Sequence, residues 1–260
     1  MSSANSKVVV ITGASGGIGA ALAKHLGEQG HQLALGARRE KELQEVAAPF
    51  GDNALAVVTD VTRREQVERL RDRALEKFGR VDVWVNNAGR GITRPVLELT
   101  DQEVDETLAI NLKAALYGMQ AIVPHFQSRG QGHLINISSF LGKVPIATHR
   151  AAYNAAKAGL NALTANLRMD LAKEYPNIHV SLVLPGVVAT DFAKNARYGT
   201  PGWPPGAGRF TVQSAAEVAA KIADLIAHPA PELFTNPDQI EIYRRYYQDI
   251  AAFEEEMKNR

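Results

Sequence analysis

Four consecutive β-branched residues, Val8-Val9-Val10-Ile11, run straight into a glycine-rich turn and then into a segment with helical periodicity. No other feature constrains the fold so strongly. A short strand without polar alternation is buried on both faces, as in a parallel sheet, and its parallel neighbour can be reached only by a crossover, usually a helix. The alternation then repeats. Residues 17–29 place Ile18, Leu22 and Leu26 at four-residue spacing and stop at Gly30. Residues 32–36, 55–58, 81–85, 133–137 and 180–184 read as further strands. Residues 40–50, 63–78 and a segment beginning near Tyr153 read as the helices between them, and 100–128 as one long helix or a pair. Within 100–128, Pro124 predicts a late interruption. Residues 214–227 predict another helix, capped by Ser214 with Glu217 three residues on. A last helix over 237–258 carries Ile240, Tyr243, Tyr247, Ile250, Phe253 and Met257 along one face.

Such a succession predicts one doubly wound α/β domain spanning residues 1–260, with helices on both faces of a parallel sheet. Ligands in sheets of this kind bind beyond the carboxyl ends of the strands, where strand order reverses. Composition narrows the possible functions. Hydrophobic residues make up 45% and charged residues 22%, too apolar for a disordered chain. Lys and Arg number 29 against 28 Asp and Glu, so no net field draws the chain to nucleic acid or to anionic lipid. There is no cysteine, which removes disulfides, thiolate metal sites and a cysteine nucleophile. The seven histidines show no metal-binding spacing, so no metal is expected. No apolar run reaches the roughly 18 residues of a membrane span, and the segment before Val8 lacks a signal-peptide core. A soluble cytoplasmic protein is the expectation.

The turn after the first strand reads Thr12-Gly13-Ala14-Ser15-Gly16-Gly17-Ile18-Gly19. Glycines there let the backbone approach a phosphate, and the following helix start offers free N–H groups to it. The spacing of Gly13, Gly17 and Gly19 resembles that of the short-chain dehydrogenase/reductase family. Asn86-Asn87-Ala88-Gly89 is similar to that family's N-N-A-G motif, and Pro185-Gly186-Val187-Val188-Ala189-Thr190 to its P-G-x-V-x-T segment. Asn111, Ser139, Tyr153 and Lys157 fall where its catalytic tetrad belongs. The resemblance implies a Rossmann-type sheet of about seven strands and a homodimer or homotetramer. It also implies cofactor contacts from Gly13, Ser15, Gly17, Ile18, Gly19, Asn87, Ala88, Gly89, Pro185, Gly186, Val188 and Thr190, and an adenine contact from Asp60 and Val61. Asp60 reads equally as a cap for the helix after it.

Ala37 stands where an NAD-binding relative would carry an acid, and Arg38-Arg39 follow it. Two arginines opening a helix are unfavourable for its dipole unless an anion is bound, which predicts NADP(H) with Arg38 as the main contact and Arg39 in support. Gly16 occupies a place where many NADP-using relatives have a second basic residue. Tyr153 and Lys157, four apart, share one helix face. Tyr153 is expected as general acid and base, its pKa lowered by the neighbouring ammonium and by a cationic cofactor. Lys157 would also hold the nicotinamide ribose, Ser139 would orient the substrate oxygen, and Ser138 would be structural. Asn111 would bind a relay water. The Gly- and Pro-rich stretch within 192–213 corresponds to the family's substrate loop, where Tyr198, Trp203 and Phe210 are expected to close over substrate. Arg90, Arg94, His149 and Arg150 can face substrate, though each reads first as solvated or at a subunit contact. The expected activity is hydride transfer between NADP(H) and a ketone or aldehyde or its alcohol. A 3-oxoacyl-thioester reductase and a non-catalytic NADP(H)-sensing protein are the alternatives.

Overall fold

The structure, a computed structural model, describes residues 6–199 and 211–258. In chain order it runs β1 (Val8–Thr12), α1 (Gly17–Glu28), β2 (Gln32–Ala37), α2 (Glu40–Ala47), β3 (Ala54–Val58), α3 (Arg64–Phe78) and β4 (Val83–Asn86). There follow α4 (Asp101–Leu108), α5 (Ala114–Arg129), β5 (Gly132–Ile137), α6 (Ala151–Ala172) and β6 (Ile178–Leu184). The remainder is a short pair, β7 (Val188–Ala189) and β8 (Gln213–Ser214), then α7 (Ala215–Ala227), β9 (Glu232–Phe234), α8 (Asp238–Gln248) and α9 (Ile250–Lys258). Seven strands form one parallel sheet in the order β3-β2-β1-β4-β5-β6-β9. Strand order reverses between β1 and β4, where Val9 is opposite Val83 and Ile11 opposite Val85.

Both faces of the sheet are covered, as the unbroken apolar strands require. Val9, Ile11, Leu35, Val85 and Ile137 pack on one side with Leu22 and Leu26 of α1 and Ile222 and Ile226 of α7. Val8, Val10, Trp84 and Leu134 pack on the other with Leu70 of α3, Ile122 and Phe126 of α5, and Leu160 of α6. Ser214 caps α7 in a reciprocal box with Glu217, as its spacing predicts.

Two expectations are corrected. Pro124 does not interrupt its helix: α5 continues through it, held by the buried Ile122 and Phe126 on either side. Arg71 donates to the Ala121 carbonyl (3.2 Å) in the turn before the ring. The irregularity lies upstream, in a π turn over Ala109–Lys113 that separates α4 from α5. The last helix is two helices, because Asp249 is extended (φ −154°, ψ 96°) and its carboxylate accepts the Ala252 N–H at 2.9 Å, capping α9 afresh. The seventh strand, β9, follows Pro231 too briefly to carry a pattern of its own. Among the described residues, no helix is long and apolar enough to cross a membrane.

Candidate active site

At the reversal point the glycine turn is fixed by backbone bonds to β2, Gly13 N–H donating to Gly36 C=O at 2.7 Å and Ala14 N–H to the same oxygen at 3.2 Å. Gly13 adopts φ +69°, and a Cβ there would lie 2.8 Å from the Ala88 Cα, so only glycine fits. The segment after β4 clamps the turn from the other side. The Thr12 hydroxyl accepts from the Asn87 and Ala88 N–H groups at 3.0 and 3.2 Å. The Asn87 amide donates to the Thr12 and Gly13 carbonyls at 2.9 and 3.2 Å. Helix α1 opens with no side-chain cap at Gly16 and no acid in its first turn, so the N–H groups from Gly17 to Gly19, Ile18 among them, are free for an anion. Thr190, beyond Pro185, Gly186 and Val188, arches over this opening; a Cβ on Gly17 would be 3.5 Å from its methyl. Replacing Asn87 by Ala is expected to cost about 1–2 kcal/mol in chemical denaturation, since two carbonyls lose their donor. The same change weakens nucleotide binding measured by calorimetry; unchanged nucleotide affinity would refute the clamp.

The arginine pair at the end of β2 divides its work. Arg39 lies over the glycine turn, donating from Nη2 to the Ser15 carbonyl at 3.0 Å and from Nε to its hydroxyl at 3.3 Å, and it pairs with Glu42 at 3.4 Å. Arg38 is exposed, and its charge acts on Asp60. Burial raises the Asp60 carboxyl, but the Thr62 hydroxyl and N–H, then Arg38 and Arg63, outweigh it and hold the group below its ordinary value. Asp60 forms a turn with Thr62 (2.7 and 3.0 Å) rather than capping α3, whose N-cap is Arg63. Val61 is buried beside it.

Across the switch point, β5 ends at two serines with opposite allegiances. Ser138 donates to Asn161 Oδ1 at 2.5 Å and packs beneath α6. Ser139 caps a short turn through Leu141 N–H (3.2 Å) and hydrogen-bonds to the Tyr153 phenol. Tyr153 stands in the first turn of α6 and is 6% exposed; Lys157, one turn on, is 3% exposed. Lys157 Nζ donates to the Ile137 carbonyl at 2.8 Å and lies 5.8 Å from the Tyr153 ring centre, with no carboxylate in contact among the described residues. Burial pushes Lys157 down to about 7. Burial also pushes the Tyr153 phenol up, against smaller lowering effects from Ser139 and Arg150. The expected lowering of Tyr153 is therefore reversed in the protein alone, because desolvation of a phenolate exceeds what its neighbours return.

Asn111 sits in the π turn and is buried. Its amide donates to the Arg90 and Thr107 carbonyls at 2.9 and 3.1 Å, and its oxygen accepts from Arg90 N–H at 3.1 Å. Both donors are engaged, leaving one lone pair of Oδ1 for a water. Gly89 stands between Asn111 and Lys157: a Cβ there would lie 2.9 Å from Asn111 Oδ1 and 3.7 Å from Lys157 Nζ. A π turn next to chemistry is a recurrent device, and here it aims an amide at the loop that borders the site.

On the open side, Ile92, Ala152 and Tyr153 form a small apolar wall with Leu99, Leu141 and Phe192. Phe192 meets the Tyr153 ring edge-on at 5.6 Å; nothing in its local sequence distinguishes it. Tyr198 has a half-exposed ring at φ +67°, and its hydroxyl donates to Glu103 Oε1 at 2.5 Å while Arg94 stacks at 4.2 Å. Glu103, 2% exposed, is lowered to about 2 by Tyr198 first and by Thr100. Tyr198 thus fastens its segment to α4. Trp203 and Phe210 lie outside the described residues.

A parallel sheet reversing beside a glycine turn, with a buried tyrosine, lysine and serine converging at its carboxyl edge, defines a nucleotide-dependent oxidoreductase. The profile of the short chain dehydrogenase family matches residues 7–200, and the chain belongs to that family. An uncharacterised oxidoreductase of Staphylococcus epidermidis is 33% identical over 199 residues, covering 76% of this chain and 85% of that protein. A short chain dehydrogenase/reductase from Burkholderia phymatum, solved in complex with NAD, superposes with TM-score 0.85 at 26% identity over 95% of each chain. A short chain dehydrogenase from Burkholderia cenocepacia, solved in complex with NADP, gives TM-score 0.80 at 28% identity over 97% of each chain.

Proposed function

We propose that this protein interconverts a ketone or aldehyde and its alcohol, with NADP(H) as the redox partner and Tyr153 as the proton donor and acceptor. One observation carries the reading: the Tyr153 phenol, buried and bonded to Ser139, has a buried, uncompensated ammonium one helical turn away. The residues suit a nicotinamide nucleotide. Uncapped N–H groups open α1 beneath Thr190, and Lys157 has committed one of its three donors. Those N–H groups would hold the pyrophosphate, Asp60 and Val61 the adenine, and Lys157 the ribose hydroxyls on the nicotinamide side. When bound, the nicotinamide gives or takes the hydride.

The chain's own residues supply the rest. Ser139 donates to the carbonyl oxygen and orients it toward Tyr153. In reduction Tyr153 passes its proton to the oxygen as negative charge builds there; in oxidation it takes the proton back. Its place in the first turn of α6 stabilises the phenolate through the helix dipole. Lys157 restores the proton, and a titration midpoint of about 7 lets it give and take at neutral pH. Gly89 leaves room for a water between Lys157 and Asn111. A homodimer or homotetramer is the proposed working form, for which exposed Val96, Leu97 and Met169 offer apolar surface.

Preference for NADP(H) rests on the cationic edge after Ala37. Arg39 is committed to Ser15 and Glu42, whereas Arg38 keeps its guanidinium free for a 2′-phosphate. Arg38→Gln is expected to lower kcat/KM for NADPH by about 10- to 100-fold, and Arg39→Gln by less, with little change for NADH. Steady-state assays with both nucleotides across a carbonyl panel test this. Wild-type protein that prefers NADH would sink it.

A further inference from the structure

The corner of the site outside Tyr153 is rich in arginine, and all but one of its guanidinium groups have a partner. Arg94 pairs with Glu98 and Glu103 at 3.2 and 3.4 Å, Arg197 with Glu106, and Arg90 donates to the Asn195 carbonyl at 3.2 Å. Arg150 is the exception. It is the N-cap of α6, but its side chain caps nothing. Its guanidinium folds inward and is half-buried, with Cζ 5.9 Å from the Phe192 ring centre and Nη1 3.3 Å from where a Cβ on Gly91 would stand. Among the described residues no carboxylate pairs with it, and Tyr153 is the only ionisable group acting on it favourably. Phe192 lies against both side chains, so guanidinium and phenol share one wall. Arg150 precedes Tyr153 by three residues, less than one helical turn.

A half-buried cation without a counter-ion is costly, and this one is held beside the proton donor by an aromatic shelf. Among the described residues nothing supplies the pair it lacks, which leaves that place open to a bound anion. We infer that the substrate brings it: Arg150 binds the carboxylate of an oxo acid, or of the matching hydroxy acid, whose carbonyl or alcohol carbon sits at Tyr153. The inference rests on the reductase reading and names the substrate class of the same site. A planar guanidinium suits a planar carboxylate through two parallel hydrogen bonds, a geometry that an ammonium does not offer. The carboxylate is a spectator, with no bond to it formed or broken. Hydride goes to the carbonyl carbon and the Tyr153 proton to its oxygen, as in the parent reaction. The glycine at position 91 leaves room for the guanidinium, and the paired Arg94 and Arg197 leave Arg150 as the available anion site.

The test compares 2-oxopentanoate and 4-oxopentanoate with their methyl esters, NADPH being the reductant. Wild-type enzyme is expected to favour at least one acid over its ester by about 10- to 100-fold in kcat/KM, the worth of a charge-assisted bond in a sheltered site. Arg150→Met brings that ratio to about one, Arg150→Lys restores part of it, and Arg73→Met, on the exposed face of α3, keeps the wild-type ratio. A second readout does not need turnover: calorimetry of the NADP⁺ complex with pentanoate and pentanamide. The carboxylate binds at least about tenfold more tightly than the amide to wild type, and the difference vanishes in Arg150→Met. Equal use of acids and esters, or an acid preference that survives Arg150→Met, overturns the inference while leaving the reductase reading intact. Arg150-dependent binding of pentanoate without reduction of any carbonyl tells against the reductase reading instead and leaves the anion site standing.

Discussion

Tyr153→Phe is expected to lower kcat for carbonyl reduction by about 10²- to 10⁴-fold while leaving NADPH affinity near the wild-type value. The ring itself is not what is lost. Phenylalanine keeps the edge contact with Phe192 at 5.6 Å and the place in the wall with Ile92 and Ala152. It removes only the hydroxyl that Ser139 bonds and that must deliver a proton as charge builds on the substrate oxygen. The variant should therefore fold normally. Stopped-flow NADPH oxidation, with binding followed by fluorescence, separates the two effects. Full carbonyl reduction by the variant would overturn the proton-transfer role.

Lys157→Met is expected to move activity and stability in opposite directions. Turnover falls by about 10²-fold or more, because the ammonium that supports the phenolate and restores its proton is gone. The cofactor-free protein gains stability near pH 6. The cause is burial, which lowers Lys157 from 10.5 to about 7. Below pH 7 the lysine is protonated in both folded and unfolded chains, so the folded state bears the whole cost of desolvating a cation, on the order of a few kcal/mol. Between pH 7 and 10.5 the unfolded chain holds the proton and the folded chain does not, so wild-type stability falls off from its high-pH value as pH drops through this window and rises as pH increases. The variant lacks this dependence. Its lost bond to the Ile137 carbonyl offsets about 1 kcal/mol of the gain. The difference in Tm, several degrees in favour of the Lys157→Met variant at about pH 6, should shrink steadily as pH approaches about 10. Calorimetric scans across that range decide it: a pH-independent difference would mean that the lysine is well hydrated in the folded state and titrates there as it does in the unfolded chain.

Much of this site was readable before any coordinates, for physical reasons that differ from residue to residue. Tyr153 and Lys157 are neighbours on α6 because helix geometry is local, and a spacing of four fixes it. Gly13 had to be glycine because a strand that stops and a helix that starts within a few residues need a positive φ between them. Strand faces followed from uninterrupted apolar runs. Where the sequence misled, a tertiary contact won over a local preference. Pro124 is disfavoured inside a helix, yet the buried side chains around it hold α5 together. The apolar face of the final segment is continuous through Asp249, yet that carboxylate caps a new helix.

Phe192 had no signature, and Arg150, readable as able to face substrate, could not be read as a guanidinium without a carboxylate partner among the described residues, since each acquires that meaning from residues far away in the chain. Tyr198 illustrates the difference most plainly. From its glycine-rich surroundings it reads as an aromatic lid, whereas the fold gives its hydroxyl to Glu103, 95 residues earlier. The amino-acid order alone determined the doubly wound sheet, the glycine turn and the tyrosine–lysine ridge, because these depend on periodicity and on backbone sterics within a few residues. The tertiary structure alone decided which charges are left unpaired and which titrations shift. Desolvation and pairing depend on what packs around a group, and the sum that pushes Lys157 to about 7 and leaves Arg150 without a carboxylate among the described residues is made only when distant segments meet.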